Sequence, residues 1–153
     1  MVANQNAIEE LNVLVVGNNP TELGVVFDSL ENIRDKRVMT EIAFDLKTIF
    51  ERLAKFRPAY ILIDDNIGIP ELKNAVRALL KFRKTKGIPI TILKNSNYHE
   101  AINEGVMNYV LKKGLTSDAL YRALKNSVKS KITQRYLFEA YKKRTGQLRR
   151  LLR

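Results

Sequence analysis

The chain has 153 residues, of which 45% are hydrophobic and 28% charged, with no cysteine, one histidine and a formal net charge of +11. This balance is typical of one folded domain. The missing cysteines exclude disulfides, thiolate metal sites and thiol nucleophiles. One histidine argues against a histidine-based metal site or catalytic triad. No window holds the roughly 18 apolar residues of a membrane-spanning helix and the N-terminus lacks a signal peptide's basic start and apolar core, so we expect a cytoplasmic location.

Five short apolar runs alternate with segments of helical pattern, including a short one at residues 97–105. The runs are LNVLVVG from Leu11, RVMTEIAF from Arg37, AYILID from Ala59, IPITIL from Ile88 and NYVLK from Asn108. The first, third and fourth are almost wholly apolar, as in buried strands of a parallel sheet, whereas the second alternates, which suits a sheet edge. This order predicts right-handed crossovers and a parallel sheet with helices on both faces.

Polar side chains follow the carboxyl ends of four of the predicted strands. Taken strand by strand, they are Gly17, Asn18 and Asn19; Asp64, Asp65 and Asn66; Lys94 and Asn95; and Lys112 and Lys113. In open parallel sheets, ligand sites form at this edge, where the strand order reverses. The sequence therefore predicts one crevice that holds aspartates, lysines and amides.

In these features the chain resembles the receiver domains of two-component response regulators, over about residues 11–131. The matching segments are VLVVGNNP at 13–20, ILIDDN at 61–66, GIPITIL at 87–93 and EGVMNYVLKK at 104–113. The resemblance implies a CheY-like, flavodoxin-like α/β fold: a (βα)5 three-layer sandwich with parallel strand order 2-1-3-4-5, here with an extended C-terminal helix. It also implies a phosphorelay signalling module, not an enzyme, whose partner is a histidine kinase or a downstream signalling protein.

The same resemblance implies roles for four residues. Asp64 matches the phosphoacceptor position, and Asn66 the position whose main-chain carbonyl helps to hold Mg²⁺. Lys112 matches the lysine that contacts the phosphoryl group, and Tyr109 the aromatic switch. An ammonium beside Asp64 would neutralise an aspartyl phosphate and would keep the unmodified carboxyl ionised.

Other positions depart from the family pattern. The family's pair of acids corresponds to Gly17 and Asn18, and its Ser or Thr after the fourth strand corresponds to Lys94. Mg²⁺ prefers anionic oxygen ligands, and phosphoryl transfer in this family depends on that ion. We therefore expect a pseudo-receiver that needs no cofactor, in which Lys94 reaches Asp64 and Asp65 as a fixed cation.

Two alternatives remain for this crevice. In one, the chain is a conventional receiver that is phosphorylated on Asp64, with Mg²⁺ held by Asp64, Asn66 and Asn18 or with Asp65 supplying a metal oxygen. In the other, Asp64 and Lys112 form an ion pair that serves only the structure.

The excess positive charge lies at the C-terminal end. Residues 1–112 hold 15 Lys and Arg against 14 Asp and Glu, whereas residues 113–153 hold 12 against 2. Such a patch suits phosphates or an acidic partner, so nucleic acid and a membrane surface are both alternative partners. The residues of this basic arm are Lys142, Lys143, Arg144, Arg149 and Arg150.

Apolar residues continue the last helix beyond the receiver-like domain, residues 1–131, into a basic amphipathic extension, residues 132–153. Their four-residue spacing keeps them on one helix face. Tyr136, Leu137 and Tyr141 then add more apolar bulk than a lone surface helix normally exposes. We expect this extension to support self-association, which makes a homodimer possible. The residues with four-residue spacing are Leu120, Leu124, Val128 and Ile132.

Overall fold

The computed structural model describes residues 9–34, 36–95 and 108–151, without the side chains of residues 108, 129–135, 138 and 148–151. The predicted short helix at residues 97–105 and the side chains of Arg149 and Arg150 lie outside the described part. None of the described helices combines the length and the apolar character that a bilayer span requires.

Five strands and four α-helices follow one another in the described ranges. They are β1 (Glu9–Val16), α1 (Pro20–Glu31), β2 (Lys36–Ala43), α2 (Leu46–Leu53), β3 (Tyr60–Asp64), α3 (Ile69–Lys81), β4 (Ile90–Lys94), β5 (Asn108–Leu111) and α4 (Ser117–Leu151). A single 3₁₀ turn, Asp65–Ile67, follows β3.

The strands form a parallel sheet in the order β2-β1-β3-β4-β5. The predicted fold class and strand order are thereby confirmed. β2, whose sequence alternates, is an edge strand, whereas the apolar β1 and β3 are central. The order reverses between β1 and β3, so the loops after these two strands flank the crevice.

Helices cover the sheet on both faces, and each face has its own apolar core. On one face, Ile49 of α2 and Leu72 of α3 pack against Leu14 and Ile63 of the sheet. On the other face, Leu30 of α1 and Leu124 of α4 are fully buried with the neighbouring strand residues. Burial on both faces explains why the central strands are almost wholly apolar.

Local sequence signals fix where the helices begin. The Asn19 side chain accepts hydrogen bonds from the backbone N–H groups of Thr21 and Glu22, so it caps α1 as its position before Pro20 predicts. Gly68 has a φ of 100° immediately before α3, a conformation that favours glycine. These two caps set the course of the loops that border the crevice.

The C-terminal helix α4 has two parts with different surroundings. Leu120 and Leu124 are fully buried, and the Ser127 hydroxyl lies 2.9 Å from the hydroxyl of Thr91 in β4. Farther along, Tyr136, Leu137 and Tyr141 are 71%, 60% and 67% exposed. The helix is continuous through residue 131, so the first part is anchored to the domain and the second presents apolar side chains to solvent.

Candidate functional site

Asp64 lies at the carboxyl end of β3, the central position of the crevice. Its side chain is fully buried, and its Oδ1 accepts hydrogen bonds from the Lys112 ammonium at 2.6 Å and from the backbone N–H of Asn66 at 2.9 Å. Its Oδ2 is buried without a hydrogen-bond partner among the described residues. A buried carboxylate needs a compensating charge, and Lys112 supplies it.

Lys112 follows β5 and lies inside the crevice with only 10% of its side chain exposed. Its backbone N–H donates to the carbonyl of Lys94, which extends the β4–β5 pairing by one residue and fixes the start of the side chain. The ammonium donates to Glu22 Oε2 at 2.7 Å and lies 3.8 Å from Asp65 Oδ1. Three carboxylates therefore surround one ammonium.

The ion pairs decide the protonation of Lys112. Burial alone would lower the pKa of its ammonium, but the hydrogen bonds and negative charges of Asp64 and Glu22 outweigh burial and leave the pKa above its ordinary value. The lysine is consequently a fixed cation at neutral pH.

Glu22 is a site residue that the sequence reasoning missed. It lies in the first turn of α1, where an acid also stabilises the helix dipole, so its presence there needed no functional explanation. One feature of the sequence could have identified Glu22: the first turn of α1, the helix after β1, borders the same crevice as Lys112. The predicted set lacked this carboxylate because it followed the strand ends alone.

The two positions that match the family's acids, Gly17 and Asn18, have different surroundings. A Cβ at Gly17 would lie 2.8 Å from a methyl carbon of Leu23 and 3.3 Å from Cβ of Asp64. Leu23 thus fills the space that a side chain at residue 17 would need. Asn18 is exposed and lines a separate cavity of about 330 Å³ between α2 and α3, together with Glu71.

Asp65 and Lys94 border the crevice beside β4. Asp65 Oδ2 accepts a hydrogen bond from the backbone N–H of Asn95 at 3.2 Å, and Oδ1 is buried without a hydrogen-bond partner in the described ranges. The Lys94 ammonium lies 4.9 Å from the ring centroid of Tyr109, a cation–π distance. Burial raises the pKa of the Tyr109 hydroxyl. Direct contact of Lys94 with the two aspartates stays a prediction.

The donors of this crevice differ from the anionic oxygen set that Mg²⁺ prefers. Glu22, Asp64 and Asp65 converge on the Lys112 ammonium. Across the described residues, no group of three or more His, Cys, Asp and Glu side chains is arranged to hold a metal. Residue 17 has no side chain, and residue 18 offers a neutral amide where Mg²⁺ prefers anionic oxygen. A cation that ligated Asp64 Oδ1 would also compete with the Lys112 ammonium 2.6 Å away.

Comparisons with known proteins identify the fold. No protein-family model and no curated protein matches the sequence. Among solved structures, the chemotaxis response regulator CheY4 of Vibrio cholerae is 21% identical with a TM-score of 0.63, and the match covers 77% of this chain and 98% of that one.

Two further structures extend this similarity. The receiver domain of the sensor histidine kinase PA1611 from Pseudomonas aeruginosa, which has a magnesium ion coordinated in its active-site cleft, is 18% identical with a TM-score of 0.61, over 78% of this chain and 98% of that domain. The Salmonella typhimurium response regulator RcsB is 21% identical with a TM-score of 0.60, over 79% of this chain and 61% of that one. The chain therefore has the fold of response-regulator receiver domains.

Proposed function

We propose that this chain is a two-component receiver module of the atypical kind, which acts through protein–protein contacts and does not need Mg²⁺-dependent phosphorylation. The observation that carries the proposal is the Lys112 ammonium held 2.6 Å from Asp64 and 2.7 Å from Glu22, beside acid positions occupied by Gly17 and Asn18. In this role the protein is a cytoplasmic signalling module without enzymatic activity of its own.

Electrostatics supports a crevice that stays in one state. In a phosphorylated receiver the incoming phosphoryl group supplies an anion to the lysine. Here the Glu22 carboxylate already contacts Lys112, so the two carboxylates that accept hydrogen bonds from the ammonium, Asp64 and Glu22, belong to the chain itself. The Asp64–Lys112 pair is buried, and breaking it leaves an uncompensated charge, which costs about 3 kcal/mol. The arrangement therefore favours a constant shape over a switch.

The partner surface in this proposal comprises β5 and α4. Tyr109 and Leu111 of β5 are 38% and 40% exposed, and the apolar residues Tyr136, Leu137 and Tyr141 of α4 are more exposed still. Lys142, Lys143 and Arg144 follow directly and are exposed. An apolar stripe beside a cationic stretch suits an acidic partner protein, either a histidine kinase or a downstream signalling protein.

A conventional receiver phosphorylated on Asp64 is the second candidate. It is favoured by Asp64 Oδ2, a buried carboxylate oxygen without a hydrogen-bond partner in the described part of the chain. Such an oxygen is a potential phosphoryl acceptor, and Lys112 would neutralise the product.

Incubation with acetyl phosphate and Mg²⁺, followed by intact-mass measurement, distinguishes the two candidates. We expect the wild-type mass to stay unchanged, as in the matched Asp64→Asn variant. A wild-type species that carries one added phosphate, and that is missing from Asp64→Asn, would replace the atypical receiver with the conventional one.

A further inference from the structure

Exposed apolar side chains cluster on β2 and on the segment that follows it, up to the middle of α2. Five of the eleven exposed large hydrophobic side chains among the described residues lie between residues 39 and 50. β2 is an edge strand, and no other described strand pairs with its outer side. An edge strand whose outer backbone groups are unpaired is a template for pairing with another strand, and two of the five exposed side chains belong to β2 itself. The five residues are Met39, Ile42, Phe44, Leu46 and Phe50.

Backbone hydrogen bonds fix which residues of β2 point outward. The Ala43 carbonyl accepts from the N–H of Gly17 at 2.9 Å, so Ala43 faces the β1 side. Because backbone groups alternate along a strand, Ile42, Thr40 and Val38 face away from the sheet. Arg52 Nε donates to the Ile42 carbonyl at 3.0 Å, consistent with that direction. No other described strand pairs with the outward backbone N–H and C=O groups of Val38 and Thr40, so these groups can bond to a partner strand.

We propose that β2 pairs in antiparallel fashion with β2 of a second copy of this chain, about a two-fold axis at Met39. In this register Val38 of each copy exchanges backbone hydrogen bonds with Thr40 of the other. Met39 lies opposite Met39 of the second copy. Arg37 lies opposite Glu41 of the second copy, and the two-fold axis repeats that pair.

Charge complementarity favours a second copy of this chain as the partner of β2, and it favours one register of pairing. In an antiparallel ladder, residues whose backbone groups point outward lie opposite residues of the same kind. The register of the two β2 strands can therefore change only in steps that keep such residues opposite one another. Shifting the axis from Met39 to Val38 or Thr40 removes the opposition of Arg37 and Glu41. Only the register centred on Met39 places these two opposite charges together. An arbitrary extended peptide would lack this match, whereas a second copy has it by symmetry.

The side chains concerned are accessible for such pairing. Arg37 is exposed, Met39 is 41% exposed, and 44% of the Glu41 side chain is exposed. Within its own chain, the Glu41 carboxylate forms an ion pair with Arg52 Nε at 3.8 Å, which is longer than a hydrogen bond. Arg52 also covers the Ile42 carbonyl, so the outermost pair, Ile42 with Lys36, contributes less than the central pairs.

A single cysteine tests the geometry cleanly because the natural chain has none. Residues directly opposite in a non-hydrogen-bonded pair have Cα atoms about 4.5 Å apart, within the range of roughly 4.4–6.8 Å that a disulfide spans. We expect full-length Met39→Cys to form a disulfide-linked dimer under mild oxidation. Val25→Cys, at a 51% exposed position on α1, is the matched control and should stay largely monomeric. Equal cross-linking of both variants, or of neither, would overturn the proposal.

Charge reversal tests the register by sedimentation velocity over a range of protein concentrations. Arg37→Glu and Glu41→Arg should each raise the dimer dissociation constant roughly tenfold, because each places like charges opposite one another twice. The double variant should restore wild-type dimerisation, and so should a mixture of the two single variants. A monomeric wild-type chain, or a double variant as weak as the single variants, would contradict β2 pairing. Unchanged circular dichroism identifies variants that remain folded.

Discussion

Lys112 is the residue on which the arrangement of the crevice depends. Its ammonium lies 2.6 Å from the fully buried Asp64, and it also contacts Glu22. We predict that Lys112→Met lowers the free energy of unfolding by about 3 kcal/mol, because the substitution leaves a buried carboxylate unpaired. Urea denaturation measures this loss. Lys113→Met, at the exposed neighbouring position, is the control and should differ little from wild type.

The raised pKa of Lys112 predicts a loss of stability at alkaline pH. A lysine whose pKa rises on folding contributes stability that is fully present below the pKa of the unfolded chain, near 10.4. That stability disappears as the pH rises through the folded pKa. Tyr60 and Tyr109, whose pKa values burial raises, act in the same direction. The difference in unfolding free energy between wild type and Lys112→Met should therefore shrink above about pH 10; a constant difference would contradict the ion-pair account.

Residue by residue, the sequence predicted part of this crevice. Asp64 and Lys112 follow buried strands, and the topology of a parallel sheet brings such strand ends together whatever their distance along the chain. Glu22 was missed because a helix N-terminus favours acids for reasons unrelated to any site. The direction of the Asn18 side chain depends on the geometry of the loop after β1, which the apolar pattern of the strand does not predict.

At the scale of elements, α4 combines an anchored part with an exposed one. The four-residue spacing predicted both the buried face at Leu120 and Leu124 and the continuation of the helix. The spacing of apolar residues does not identify the partner of the exposed part. An apolar stripe beside basic residues suits a second helix, an acidic protein or an acidic surface equally well.

Truncation after Lys131 tests what the exposed part of α4 does. If its apolar stripe mediates binding, we expect the truncated chain to lose affinity for the partner protein while it retains the receiver fold.

If the basic arm binds nucleic acid instead, the binding of nucleic acid to the full-length chain should fall steeply with salt and vanish on truncation. Fluorescence anisotropy at two salt concentrations measures the affinity of the full-length and the truncated chain for the partner protein and for nucleic acid. Nucleic-acid binding that survives the cut would exclude the arm as its site.

At the scale of the whole molecule, the alternation of strands and helices predicted a parallel sheet with helices on both faces, and the resemblance to receiver domains implied its strand order. The chemistry of the crevice was only partly predictable. Alternating apolar strands and helices leave few topologies for a chain of this length, and right-handed crossovers reduce them further. Whether the crevice can bind a metal depends on a few side chains whose substitution leaves that topology intact. Gly17 and Leu23 illustrate this: a leucine methyl fills the space that a side chain at residue 17 would need, and β1 keeps its place in the sheet.

The central claim is that the crevice uses Lys112 instead of a divalent ion, and calorimetric titration of the full-length chain with Mg²⁺ tests it most directly. We predict no saturable binding at millimolar Mg²⁺, and the same flat titration for Asp64→Asn. Saturable binding to the wild type that Asp64→Asn abolishes would contradict the account.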